Sequence, residues 1–449
     1  MKPSLLPLHQ KLAWGAGGLT NDLVNIIGVL AIPIYAIAMG VNPAWIGLAL
    51  AIPRIWDAFT DPFMGHISDN FRSRWGRRRP LIFLGAILLG ITFPLMWMPS
   101  PEWSSAVKVA WFLIMLIAYY TAFTIWSVPW NALGFELTPD YNERTRVQAY
   151  RAAIATLAGW IVPWAYKLCF VFNDNETIGA RYVGLLIGLV MAATGILSAL
   201  FCREQAKGQT QEKIKLGPAF ACTLKNKPFQ LICATVALFI AGVFLVQPMA
   251  LYVNIYHVFN GSKEAASTMS GMGGMSGAIL ALLSVPLISF IATHWGKKKT
   301  LILGMAIAAV GYLSQALTYT PANPYLEIIS FCTIAPGVAF IWIILPAMLA
   351  DVCDVDEVQT GLRREGMYGA VYGWLLKIGV TVGLTLSGFI LTMAGILPRE
   401  TVQSPEAIRN LRILFSAVPF IFTLAAILIM LRYPLTERVV NQLKTKIKP

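Results

Sequence analysis

Apolar positions along the 449-residue chain fall into long runs separated by short polar stretches, with no sustained period-two alternation. Runs bounded by charge predict spans near 12–39, 44–70, 81–99, 105–136, 149–173 and 182–202. After a polar stretch, six more are expected near 229–257, 265–293, 300–320, 325–351, 367–395 and 407–432. Each is close to or above the ~20 residues that a helix needs to cross hydrocarbon. No water is available there to satisfy backbone groups, so without the alternating pattern of a barrel these runs must be helices. The predicted fold class is an all-α polytopic membrane protein with twelve transmembrane helices.

Composition agrees: hydrophobic residues make up 57% of the chain and charged residues 13%, about half the charge of a soluble domain. Disorder, which needs low hydrophobicity and high charge, is excluded. Of the 35 basic residues, 25 fall on the side that holds both termini. The positive-inside rule makes that side cytoplasmic, and the expected location is the plasma (inner) membrane. The basic clusters are 72–80, 203–228, Lys297 to Lys299 and the tail from Arg432 to Lys448. All lie beside spans and lack interleaved stacking aromatics, so they are read as topology and anionic-lipid signals, with no nucleic-acid partner. The first apolar run is too long for a cleavable signal peptide. The six cysteines, without paired spacing, read as small buried apolar residues. Asn175-Glu-Thr177 and Asn260-Gly-Ser262 match the glycosylation pattern, a short and common one.

An internal repeat organises the spans. Trp75-Gly76 and Trp295-Gly296, each followed by basic residues, are 220 positions apart; Arg144 and Arg146 are matched by Arg363 and Arg364 at 218 to 220. The expected domains are six-helix bundles over 1–202 and 229–432, a cytoplasmic linker over 203–228 and a basic tail over 433–449. Two such halves resemble the layout of major facilitator transporters, which implies a substrate at mid-membrane between halves that rock around it. A monomer is enough for that.

Ionisable residues inside spans are costly and therefore functional candidates. They are Asp22, Arg54, Asp57, Asp61, Arg151, Lys167, Asp351 and Lys377. Lys167 lies near a span end and can snorkel. Asp57 and Asp61, four residues apart, share one helix face at roughly 5–6 Å. Two such carboxylates cannot both stay ionised in a low dielectric without a proton, a metal cation or basic partners. Thr60, and Thr124 on the fourth helix, add neutral oxygens suited to sodium; the competing reading is a structural ion-pair cluster with Arg54 and Lys377. Asp22 and Arg151 offer an acceptor and a donor for a polar solute. Trp126, Trp130, Trp342, Tyr372 and Trp374 are candidates to stack on a sugar ring, although most of the 14 tryptophans must be packing or interfacial. His66 is a candidate proton shuttle, a packed histidine being the plainer reading. The glycines at 15, 17 and 18 follow no strand, and those at 271, 273, 274 and 277 lack the Lys-Ser/Thr of a phosphate loop. Catalytic triads, HExxH and nucleotide-binding domains are missing, so uphill movement would need an ion gradient.

The run Arg54-Ile-Trp-Asp57-Ala-Phe-Thr-Asp61-Pro-Phe-Met-Gly65, followed by Arg72-Ser-Arg-Trp-Gly-Arg-Arg-Arg-Pro80, closely resembles the glycoside-pentoside-hexuronide:cation symporters. Lys11-Leu-Ala-Trp-Gly15 leading to Asp22, Val128-Pro129, and Arg363-Arg-Glu-Gly-Met-Tyr368 running to Lys377 extend the likeness over nearly the whole chain. The resemblance implies a coupling cation on Asp57 and Asp61 with Thr60 and Thr124 nearby, and Lys377 adjusting the site. It also implies sugar contacts from Asp22, Arg151 and Trp342. Where the melibiose permease pattern has Asp and Trp in the fourth span, this chain has Ser127 and Asn131. The pocket is then less acidic than in that pattern, and a uronide becomes as plausible as a neutral glycoside.

The sequence is therefore read as a symporter that couples sodium or a proton to sugar uptake, without enzymatic activity or cofactor. Its partners are the sugar, the monovalent cation and the bilayer. Arg144, Arg146, Asp351, Asp354, Arg363 and Arg364 are expected to form ion pairs that close an inner gate. A lysophospholipid symporter, a non-transporting sugar sensor and an enzyme acting on lipid-linked sugar are the alternatives.

Overall fold

The computed structural model describes residues 6–138, 141–204, 226–360, 365–397 and 402–435. Among them are twelve helices: α1 (Leu8–Ala38), α2 (Pro43–Asn70), α3 (Arg79–Leu95), α4 (Ser105–Glu136), α5 (Tyr141–Ile161, prolonged by Ala165–Phe172) and α6 (Glu176–Phe201). They continue as α7 (Lys227–Val258), α8 (Lys263–Trp295), α9 (Lys297–Thr318), α10 (Glu327–Thr360), α11 (Glu365–Met393) and α12 (Pro405–Leu431). Ten are long and apolar enough to cross a membrane. The others are α3, of 17 residues, and α2, which carries Arg54, Asp57, Asp61 and Asp69.

Helix starts follow local chemistry. Asn42, Ser104, Asn175, Asn226, Ser262 and Ser404 each accept a hydrogen bond from a backbone N–H of the turn they precede. Asn175 and Ser262, noted above within glycosylation patterns, are thus helix caps. Helices α5 and α6 begin several residues before the apolar runs because Glu143 and Glu176 occupy their first turns, where a carboxylate suits the helix dipole. Helix α10 likewise runs nine residues beyond the predicted boundary at 351, to Thr360.

The chain divides into two compact units, the break falling near residue 209. In the first, α1 packs on α5 and α6, α2 on α4, and α3 on α4 and α6. In the second, α7 packs on α11 and α12, α8 on α10, and α9 on α10 and α12, the same scheme six helices later. Local features repeat as well. Helices α1 and α7 both widen into a π-helical turn, Ile32–Ala38 and Asn254–Val258, closed by left-handed Gly40 and Gly261. The Trp-Gly pairs end in left-handed glycines too, Gly76 at φ 102° and Gly296 at φ 80°.

At the first of these pairs the basic run folds into an intramolecular network. The Glu204 carboxylate accepts three consecutive backbone N–H bonds, from Arg77, Arg78 and Arg79, at 2.9, 2.9 and 3.0 Å, and so caps α3. Arg77 and Arg78 pair with Glu136 of α4 at 2.5 and 2.8 Å, Arg78 reaches Asp69 of α2 at 3.2 Å, and Arg79 donates to Ala199 O of α6. The second unit repeats the plan more sparely. Lys297 pairs with Asp351 at 2.6 Å, and Lys298 donates to Leu431 O and Tyr433 O.

A Cβ at position 76 would lie 2.6 Å from the Glu204 carboxylate, which its three backbone bonds hold in place, on a backbone that L-residues rarely adopt. Gly76→Ala is therefore expected to lower stability by about 1–3 kcal/mol. Gly28→Ala, whose Cβ would meet nothing within 4 Å inside a helix, is expected to leave it level or raise it by up to ~1 kcal/mol. Thermal melts of the purified variants check both; equal melting temperatures would overturn the capping argument.

Candidate functional site

Helix α2 presents Asp57, Thr60 and Asp61 within five residues, and α4 lies alongside. Asp57 is 3% exposed. One turn further on, Asp61 Oδ1 accepts a hydrogen bond from Thr124 Oγ1 at 3.0 Å. The Thr60 and Thr124 hydroxyl oxygens are 3.5 Å apart. Thr60 Oγ1 also lies 3.2 Å from Trp56 O, and Thr124 Oγ1 donates to Asp61, so two hydroxyl oxygens and a carboxylate meet here. Trp56 Nε1, donating to Thr121 Oγ1 at 2.9 Å, fastens the same seam between the helices. Carboxylate and hydroxyl oxygens with no sulfur or imidazole among them form a donor set for a hard monovalent cation or a proton.

A second cluster surrounds Asp22. Helix α1 breaks at Val24 and Asn25, where Asn25 Nδ2 donates to Asp22 O at 2.9 Å, while Asn21 Nδ2 holds Asp22 Oδ1 at 2.8 Å. Arg151 of α5 is close enough to interact electrostatically with Asp22, and its guanidinium carbon lies 5.2 Å from the Trp130 ring centroid. The glycines of α1 make this approach possible. A Cβ at Gly18 would sit 2.9 Å from Arg151 O, and one at Gly17 would sit 2.3 Å from Trp130 Nε1. Trp14 and Trp130 each donate an indole N–H to the other's backbone carbonyl, at 3.0 and 3.1 Å, and their rings stack.

Sequence reasoning had offered Trp130 as a face for a sugar ring. The indole is instead fully buried against Trp14 and Trp126 with Arg151 over it, so it supports the arginine and exposes no surface. Ser127 is buried, whereas Asn131 is exposed and donates to Ser127 O at 3.0 Å. Members of the expected inner-gate set have these described partners. Asp351 pairs with Lys297 and Arg146 pairs with Glu143 at 3.3 Å, each within its own unit. Asp354 is half-buried on α10. In the second unit Trp342 is 49% exposed on α10, while Tyr372 and Lys377 are half-buried on α11. The side chains of Arg54 and Arg144, and the residues Arg363 and Arg364, lie outside the described residues.

Residues 14–437 match the MFS/sugar transport protein family. The chain belongs to that family. It is 24% identical to the glucuronide carrier protein homolog of Escherichia coli (strain K12), over 98% of this chain and 96% of that protein. It is also 24% identical to the isoprimeverose transporter of Lactiplantibacillus pentosus, over 94% and 88%. A crystal structure of a D-xylose–proton symporter superposes with a TM-score of 0.65 at 15% identity, covering 95% of this chain and 96% of that one. The fold is therefore that of the major facilitator transporters, as the spacing of the repeat and the second-span motif had implied, and the protein is an integral membrane protein.

Glu143, which the sequence did not single out, ties three segments together. It accepts from Lys11 of α1, from Leu6 N at 3.2 Å and from Arg146. The hydrogen bond from Lys11, and then the charges of Lys11 and Arg146, hold its carboxyl below the ordinary carboxylate range, against the opposing effect of burial. A lowered pKa stabilises the fold above the ordinary carboxylate range, and that contribution is lost as pH falls through the lowered value. Glu143→Gln should therefore flatten the acid limb of the stability curve measured by thermal melts between neutral and acidic pH. An unchanged slope would refute the assignment.

Proposed function

We propose that the protein is a secondary active symporter, coupling inward movement of sodium or a proton to uptake of a sugar by alternating access. The observation that carries this reading is the meeting of Asp61, Thr60 and Thr124 between α2 and α4 beside buried Asp57. Two carboxylates one helical turn apart attract a positive charge, and a bound cation supplies one reversibly. The relatives' names, a glucuronide carrier homolog and an isoprimeverose transporter, point to sugars, and a further relative of Escherichia coli (strain K12), a putative glycoside/cation symporter 25% identical over 96% of this chain, points to cation coupling.

In this reading Asp57 and Asp61 hold the cation and Thr60 and Thr124 complete its oxygen shell, with Lys377 as the coupling residue. Asp22 accepts hydrogen bonds from sugar hydroxyls, and Arg151, braced on Trp130, donates to hydroxyl or carboxylate oxygens of the solute. That acid–base pair suits a glycoside or a hexuronide. A bound cation offsets the negative charge of Asp57 and Asp61, so loading favours the passage between access states. Both termini and the basic loops face the cytoplasm.

Gradient-driven sugar uptake into proteoliposomes tests the reading. Asp57→Asn combined with Asp61→Asn is expected to abolish accumulation. Thr124→Val, which removes a hydrogen bond to a charged acceptor worth ~1.5–3 kcal/mol, is expected to raise the cation concentration needed for half-maximal uptake by about tenfold or more. Uptake undiminished by the double substitution would reject the cation site.

A further inference from the structure

Helix α10 begins with a carboxylic acid that the transport reading does not use. Glu327 is fully buried, as is Asn254 in the π-helical turn of α7. Asn254 Nδ2 donates to Glu327 Oε1 at 3.1 Å and to Ser270 Oγ of α8 at 3.2 Å. The other two head-group atoms, Glu327 Oε2 and Asn254 Oδ1, have no hydrogen-bond partner among the described residues. No basic side chain is among the described partners of Glu327. Around it stand Asn254, Ser270 and the Tyr319 hydroxyl after α9, while His257 and Arg412 interact with each other at the same end of the unit.

The same node exists in the first unit with the opposite chemistry. Lys108, 219 positions before Glu327, stands near the start of α4 as Glu327 stands at the start of α10. Lys108 is fully buried. Its ammonium donates to Met39 O, just beyond the π-helical turn of α1, at 3.1 Å and to Pro101 O at 2.7 Å. In the first unit, then, a protonated side chain closes the junction between the π-helical end of one helix and the beginning of another. In the second unit an ionised Glu327 could not do this, because its Oε2 and Asn254 Oδ1 are both acceptors.

We propose that Glu327 and Asn254 form a proton-binding site separate from Asp57 and Asp61, in which the protonated Glu327 pairs with the Asn254 amide through two hydrogen bonds. A proton from water adds to Oε2, and the resulting O–H donates to Asn254 Oδ1 while Nδ2 continues to donate to Oε1. One proton thus satisfies both unpartnered atoms and removes a negative charge from a fully buried position. The site clamps α7 to α10 when protonated, and loss of the proton leaves two acceptors facing an ionised acid.

Infrared spectroscopy of the purified protein at neutral pH is the test. The wild type is expected to show a protonated-carboxyl C=O stretch that moves on exchange into D2O and is missing from Glu327→Gln. Glutamine reproduces the acid's two contacts, its amide N–H donating to Asn254 Oδ1, so this variant is expected to fold and to melt close to the wild type. Asn254→Leu should shift the band to higher frequency, because the acid loses its amide partner. Wild-type and Glu327→Gln spectra that coincide in this region would overturn the proposal, and so would a band unmoved by Asn254→Leu. Replacing potassium with sodium in the buffer is expected to leave the band in place; its disappearance in sodium would show a metal-ion site instead of a proton site.

Discussion

A charge persists in hydrocarbon only where the protein supplies what water otherwise would, and this constraint shapes the interior of both units. Each buried or half-buried charge whose contacts are described meets a group on another helix or loop. Asp61 takes a hydroxyl from α4, Arg151 crosses from α5 to the indole of α4, and Lys108 is held by carbonyls beyond α1 and before α4. Such contacts act chiefly as specifications of register, since the desolvation of both partners offsets much of the attraction. Helices that could slide freely on apolar faces are thereby held at one axial position.

Close approach is the second requirement, and glycine with tryptophan meets it. Gly17 and Gly18 let α1 come within reach of Trp130 and of the Arg151 backbone, and a Cβ at Gly134 would lie 2.1 Å from Trp14. Large indoles filling the space left by glycines make a rigid wall beneath Asp22 and Arg151. A guanidinium on a four-bond tether would otherwise sample many orientations; seated over an aromatic ring it is restricted to few. Packing and the orientation of Arg151 are in this way the same feature of α1, α4 and α5.

Bilayer thickness made the twelve spans legible, because it sets the length of every apolar run, and the Trp-Gly pairs revealed the repeat because a left-handed glycine tolerates few substitutes. The pair Asp57 and Asp61 stood out through the scarcity of charge around it, and Thr124 entered as a neutral oxygen that the structure then placed on Asp61. What remained hidden were choices among partners. Glu204 lies just after a span in a polar stretch and offers no periodicity, yet it caps α3 with three bonds. Glu136 and Glu143, at helix ends, looked like any solvated carboxylates. Trp130 was indistinguishable by sequence from an exposed aromatic, since burial of an indole depends on which helix arrives beside it. The basic run at 72–80 served as a topological signal in sequence and proved also to be an internal network joining α2, α3, α4 and α6.

The two units share a scheme of helix pairing and differ in the chemistry at its nodes. At the junction near the π-helical turn, the first unit uses a lysine and the second a glutamate with an asparagine. At the Trp-Gly end, two arginines and a glutamate are matched by one lysine and one aspartate. A duplicated backbone preserves the positions at which a polar bond is required, because the helix ends and the π-helical widening recur there. It does not preserve which side chain supplies the proton for that bond. The hydroxyl and carboxylate seam of Asp61, Thr60 and Thr124 belongs to α2 and α4, whereas the acid–amide node belongs to α7 and α10, so a family built from two like halves can place ionisable sites of different character in each.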